Sequence, residues 1–117
     1  MLPKVSSTAE IMEAAKNSQL YANLISQLKK DFVLANLTLD LPSKIPPADL
    51  IKTILNKIDF LIKEDMAKLL NLLYIVDVSE NTFKKNINDN SFVSSEKLCF
   101  LILKRTWQKV WFKDHYR

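Results

Sequence analysis

The chain has no glycine among its 117 residues, and this absence constrains its fold more than any other feature. Glycine supplies the positive backbone φ angles of tight hairpin turns, so a β-meander joined by type I′ or II′ turns is disfavoured. Loops that bind phosphate also need glycine, because it lets the backbone approach the anion. The sequence therefore argues against a P-loop, a dinucleotide-binding fingerprint and the usual nucleophile elbow.

Apolar residues recur with helical spacing along most of the chain. The cleanest run comprises Leu50, Ile51, Ile54, Leu55, Ile58, Leu61 and Ile62. A second strong run extends from Leu20 to Phe32, and a weaker one follows the capping box Ser7–Glu10. Residues 8–36 form either one long helix or two helices that meet near Asn17. Together these patterns predict an all-α fold, an irregular bundle of five or six helices in a single domain.

Polar and proline residues mark where helices begin and end. Leu37–Leu41 alternates like a strand but has no partner, so it is predicted to be an extended connector whose leucines contact the helices. Pro47 suits a first helical turn, and Glu64-Asp65 indicates a new helix after a break near Lys63. Ser79-Glu80 is predicted to cap a short helix.

The last helix is predicted from Ser95 to about Phe112, with Ser94-Ser95 as its N-cap. Leu98 to Leu103 are six consecutive apolar residues, which cover every side of a helix. The first half of this helix should therefore lie in the middle of the core. The second half should lie at the surface, with Trp107 facing inward.

The sequence predicts one domain over residues 1–117, with a disordered tail at 1–6 and a frayed tail at 114–117. The only cysteine is Cys99, so no internal disulfide forms and a reducing compartment is favoured. The first residues lack the apolar segment of a signal peptide, and the longest apolar run is six residues against roughly 20 for a membrane span. We therefore expect a cytoplasmic protein.

Residues able to carry out catalysis or bind a metal are few. His115, the only histidine, lies near the C-terminus, and Cys99 is expected to be an inert core residue. These counts predict no catalytic residue, no metal site and no cofactor. An enzyme would require Asp65, Asp77 and the Tyr74 hydroxyl to converge on a cleft.

The C-terminal segment is the strongest candidate for a functional surface. The net charge of +4 lies entirely in residues 104–117, because residues 1–103 carry equal numbers of acidic and basic side chains. Aromatic residues alternate with these cations, and aromatic and arginine residues are enriched at protein interfaces. The sequence predicts a partner-binding site with aromatic anchors and a basic rim: Arg105, Lys109, Trp111, Phe112, Lys113 and Tyr116.

Three interpretations of this segment stay open. The first is contact with a protein partner, which includes a second copy of the chain in a homodimer. The alternative is nucleic-acid binding, since cations and aromatic rings can contact phosphates and stack on bases. The third is an ordinary solvated face with no binding role. No small-molecule substrate is indicated.

Two stretches, Leu72–Glu80 and Leu103–Arg117 with Trp107-Gln108-Lys109 at its centre, resemble small uncharacterised all-helical bacterial proteins. These stretches cover about a fifth of the chain, and neither is a catalytic motif. The resemblance implies a bacterial, cytoplasmic protein without enzymatic activity. It assigns no functional residues.

Overall fold

The computed structural model describes residues 4–116, which form six α-helices and no strand. The helices are α1 (Thr8–Asn17), α2 (Tyr21–Leu34), α3 (Pro47–Glu64), α4 (Met66–Val76), α5 (Glu80–Asn86) and α6 (Ser91–His115). The prediction of an irregular all-α bundle of five or six helices is confirmed.

The core is organised around α6, which contacts each of the other five helices. Its apolar run places Leu98, Cys99, Ile102 and Leu103 out of contact with solvent. The closest partner is α3, which buries Leu50, Ile54, Ile58 and Leu61 along one face. The predicted central position of the first half of the last helix is confirmed.

Residues 8–36 form two helices, which resolves the alternative left open by the sequence. The break lies at Ser18–Leu20, where Gln19 has a φ of 59° and the Leu20 amide donates to the Ala15 carbonyl at 2.8 Å. This left-handed residue turns the chain so that α1 and α2 can both contact α6. Glycine normally marks such positions, and because Gln19 stands there instead, the sequence could not decide between one helix and two.

The connector between α2 and α3 lies against the bundle as predicted. Leu37, Leu41 and Ile45 are buried, whereas Asp40 is exposed. The Tyr21 hydroxyl donates to the Ile45 carbonyl at 2.6 Å and ties the end of the connector to α2. Partial burial raises the pKa of the Tyr21 hydroxyl, and the nearby Asp49 carboxylate adds to the shift.

The predicted start of the last helix is wrong by four residues. The helix begins at Ser91, and the side chain of Asn90 caps it by accepting from the Val93 amide at 3.1 Å. Ser94 and Ser95 are buried inside the helix instead of capping it. The Ser95 hydroxyl donates to the Ser91 carbonyl at 2.7 Å, because a buried hydroxyl needs an acceptor.

The other predicted helix starts agree with the structure, except that the Glu10 side chain of the capping box bonds to Ser6 and not to the N-cap residue Ser7. Pro47 is in the first turn of α3, Asp65 caps α4 and Ser79 caps α5. At α1, Ser7 accepts from the Glu10 amide as a capping box requires. The Glu10 carboxylate, however, accepts from the Ser6 amide at 2.8 Å. Hydrogen bonds from the Ser6 hydroxyl and, secondly, from the Ser6 amide lower the pKa of Glu10.

The predicted tails fall partly within ordered structure. Residues 1–3 and 117 lie outside the described part of the chain, while Val5 contacts the core. At the other end, Asp114 and His115 belong to the last turn of α6. The imidazole of His115 stacks on Trp111, with ring centroids 3.9 Å apart.

Candidate interaction surface

The candidate surface is the second half of α6, where one side enters the core and the rest faces outward. Thr106, Trp107 and Val110 are buried, and the predicted inward position of Trp107 is confirmed. The Trp107 indole Nε1 is a buried donor with no hydrogen-bond acceptor among the described residues. Packing therefore holds this ring without help from a polar contact.

The three basic side chains predicted as a rim are each bonded to another element of the same chain. Arg105 Nη2 lies 3.0 Å from Asp77 Oδ2 at the end of α4. Lys109 Nζ lies 3.1 Å from Asp31 Oδ2 on α2 and donates to the Ile75 carbonyl at 3.2 Å. These contacts join α6 to α2 and α4.

Lys113 completes a polar network between α6 and α2. Its Nζ donates to Gln27 Oε1 at 2.8 Å, and Gln27 Nε2 donates to Asp31 Oδ1 at 3.0 Å. Asp31 is only 3% exposed, so its carboxylate depends on Lys109 and Gln27 for compensation. Sequence reasoning treated Lys109 and Lys113 as a solvated rim, and the structure instead gives them acceptors within the fold.

Asp31 and Gln27 are the residues that sequence reasoning missed at this site. The signal was present, because Gln27 and Asp31 interrupt the apolar face of α2 that carries Leu24, Leu28 and Phe32. Polar residues four apart on an otherwise apolar helical face lie side by side and face the core. A carboxylate at such a position, here Asp31, predicts a buried partner of opposite charge.

The aromatic residues predicted as anchors lie together at the end of α6. Trp111 and Phe112 make an edge contact at 5.6 Å, and Phe112 and Tyr116 lie 5.3 Å apart. With His115 they form what we call the aromatic cluster: Trp111, Phe112, His115 and Tyr116. Trp111 is partly buried against the core, whereas Phe112 is 40% and Tyr116 is 64% exposed. Mutual contact limits the rotamers of these rings before any partner binds.

The groups considered for catalysis do not converge, because Asp65 lies apart from Tyr74 and Asp77, which line one groove at the end of α4. Asp65 and Asp77 flank opposite ends of the eleven-residue helix α4, roughly 17 Å of helix. Asp65 caps α4, and Asp77 pairs with Arg105. Burial raises the pKa of the Cys99 thiol to about 12, with a smaller contribution from Glu96. Cys99 is therefore a protonated core residue, as predicted.

Within residues 4–116, no group of three or more His, Cys, Asp or Glu side chains is placed to hold a metal ion. None of the helices in this range combines the length and the apolar character needed to cross a membrane.

Comparison with protein-family models, with curated proteins and with solved structures found no match to this chain. The resemblance to small helical bacterial proteins stays a prediction.

Proposed function

We propose that this chain is a small helical interaction module without catalytic activity, whose contact surface is the aromatic cluster. The observation that carries the proposal is the exposure of Phe112 and Tyr116 at the end of a helix that is otherwise fixed in the core. Exposed aromatic rings with restricted rotamers lose little conformational entropy on binding, and aromatic residues often dominate binding energy. The free thiol of Cys99 supports a cytoplasmic location.

A protein partner is favoured over nucleic acid by the contacts of the basic side chains. Arg105, Lys109 and Lys113 already bond to acceptors of the same chain. A phosphate contact would have to replace those bonds, including the one that compensates Asp31. The aromatic rings have no such competing role and are the better supported contact.

The test compares the wild-type chain with the double variant Phe112→Ser and Tyr116→Ser. A matched control is Phe92→Ser, because Phe92 is also on α6 and 59% exposed but lies outside the aromatic cluster. Each protein is used to capture partners, and the affinity of an identified partner is then measured with purified components. We expect the double variant to lose binding and the control to keep it.

Binding that survives in the double variant would place the contact elsewhere and reject the proposal. Nucleic-acid binding is tested separately with a labelled oligonucleotide at two salt concentrations. A steep fall in affinity as salt rises would favour the nucleic-acid alternative, because phosphate contacts release counterions.

A further inference from the structure

A polar pocket lies between α2 and the last turns of α6. Its volume of about 380 Å³ falls in the range of pockets that bind a ligand or an anchoring side chain. Positions three, four and seven residues apart share one face of a helix, and the lining comes from one such face of each helix. The polar residues of the lining are Asn23, Ser26, Gln27 and Lys30 on α2, with Lys113 and Asp114 on α6.

Gln27 lines this pocket and positions one of its cations. The Gln27 side chain is only 9% exposed, and its Nε2 donates to Asp31 Oδ1 at 3.0 Å. Its Oε1 accepts from Lys113 Nζ at 2.8 Å. An ammonium group carries three N–H donors, so the bond to Gln27 leaves two for a ligand. The pocket therefore contains a cation that is held in place before any ligand binds.

The positive charge of the pocket is not balanced within residues 4–116. Lys113 is bonded to a neutral amide, which leaves its charge uncompensated. The ammonium of Lys30 is exposed and makes no ion pair or hydrogen bond with another described residue. Asp114 is the one carboxylate of the lining, and its Oδ2 lies 3.7 Å from His115 Nδ1. Two ammonium groups against one carboxylate leave the pocket with a net positive charge.

These groups favour a carboxylate as the ligand. Asn23 and Ser26 add an amide and a hydroxyl donor to the two ammonium groups, and ionised acceptors make the strongest hydrogen bonds with such donors. Lys30 can bind one carboxylate without breaking any bond of the fold. A nucleic-acid backbone would need further cations, and the next one along α6, Lys109, is already paired with Asp31.

The pocket adjoins the aromatic cluster. Lys113 and Tyr116 are three residues apart on α6, so their side chains are neighbours on the helix surface. The ring of Tyr116 in turn lies 5.3 Å from the ring of Phe112. A segment that covers these two rings can therefore reach the pocket across Lys113, a step of about 5–6 Å.

From this arrangement we infer that the pocket between α2 and α6 receives an acidic side chain of the protein that contacts the aromatic cluster. The partner segment carries an apolar or aromatic residue for Phe112 and Tyr116, and beside it an aspartate or glutamate for Lys30. This inference rests on the proposed function and names the chemistry of the partner. Complementary charge at such a contact fixes the register of the two surfaces and speeds their association.

The test selects peptides from an unbiased display library on the immobilised full chain. We expect the recovered peptides to share an acidic residue beside an apolar one. Their dissociation constants are then measured by calorimetry with the wild type and with Lys30→Glu. Lys97→Glu is the matched control, because Lys97 is an exposed lysine on α6 about 24 Å of helix from Lys113.

We expect Lys30→Glu to weaken peptide binding by about tenfold or more, because it places an anion against the acidic residue of the peptide. Lys97→Glu should weaken binding by less than about twofold, since salt screens a charge at that distance. Circular dichroism melting should show that both variants are folded, because both substituted side chains are exposed.

The decisive sample is a charge exchange between the two partners. A recovered peptide whose acidic residue is replaced by lysine should bind Lys30→Glu more tightly than it binds the wild type. A general structural effect of the substitution would weaken the binding of both peptides and would not reverse the preference.

Other outcomes overturn the inference in distinguishable ways. Recovered peptides that lack acidic residues, or that bind Lys30→Glu as tightly as the wild type, reject the pocket. If the double variant Phe112→Ser and Tyr116→Ser still abolishes their binding, the proposed function survives without the pocket. Peptides that bind this double variant normally reject both. An oligonucleotide that binds the wild type and not Lys30→Glu, with no acidic peptide recovered, assigns the pocket to phosphate and rejects the acidic partner.

Discussion

The basic side chains and the aromatic cluster share the last turns of α6 but have opposite surroundings. Lys109 reaches a buried carboxylate on α2, and its side chain is only 20% exposed. Tyr116, seven residues later, is 64% exposed. The basic and aromatic residues of this segment therefore do not form one uniform surface. The position of each side chain depends on whether the rest of the fold places a hydrogen-bond acceptor within its reach.

The difference has an energetic cause. A carboxylate as buried as Asp31 is costly unless a cation and further donors compensate it. A long lysine side chain can reach such a site and still cover apolar surface with its methylene groups. An aromatic ring at the end of a helix has no such constraint and stays exposed unless a partner covers it.

The largest effect is expected from Lys109→Met, which removes the cation beside Asp31. The free energy of unfolding should fall by about 3 kcal/mol, because an uncompensated carboxylate then remains buried. Urea denaturation measures the change. The control is Lys97→Met, on an exposed position of the same helix, which should alter stability by no more than about 0.5 kcal/mol.

The double variant Asp31→Leu and Lys109→Met checks the cause of that loss. Replacing both members of a buried pair with apolar side chains removes the uncompensated charge, so most of the lost stability should return. A double variant that is no more stable than Lys109→Met would show that lost packing, not charge, explains the effect.

Gln27→Leu should have an intermediate effect. Gln27 donates to Asp31 and accepts from Lys113, so the substitution removes one partner from each at nearly constant side-chain volume. A loss of about 1–2 kcal/mol in the free energy of unfolding is expected. The exposed Asn56→Leu, on α3, serves as the comparison and should change little.

Arg105→Ala should destabilise the fold by only about 0.5 kcal/mol. Its ion pair with Asp77 is accessible to solvent, since 73% of the Asp77 side chain is exposed. A variant at Asp77 is a poor control, because Asp77 also forms the left-handed turn after α4. The control is therefore to measure the stability of the wild type and of Arg105→Ala again at high salt. A loss of stability that persists unchanged in high salt would contradict an electrostatic origin.

The smallest effect on stability is expected from Tyr116→Ser, within about 0.5 kcal/mol of the wild type. The Tyr116 ring lies against the rings of Trp111 and Phe112 and is 64% exposed, so its removal uncovers little of the core. Thermal melting checks this expectation. A large drop in melting temperature would mean that the aromatic cluster stabilises the fold, and its exposure would then lose its significance as a binding surface.

Sequence reasoning predicted those parts of the molecule that depend on neighbouring residues. The apolar period of α3, the caps at Asp65 and Ser79 and the burial of Trp107 were all predicted correctly. Each depends on residues within one or two helical turns, which the sequence displays directly. The start of α6 was misplaced because Asn90 and Ser94 are both acceptable caps, and only the fold selected between them.

The sequence alone determined an all-α chain, through its helical periodicity and its lack of glycine, and it located the aromatic and basic residues of α6. Only the tertiary structure decided that Lys109 faces Asp31, that Arg105 meets Asp77 and that Tyr116 stays exposed. The physical reason is distance along the chain. Asp31 and Lys109 are separated by 78 residues, and no local pattern encodes which side chains the folding of six helices brings together.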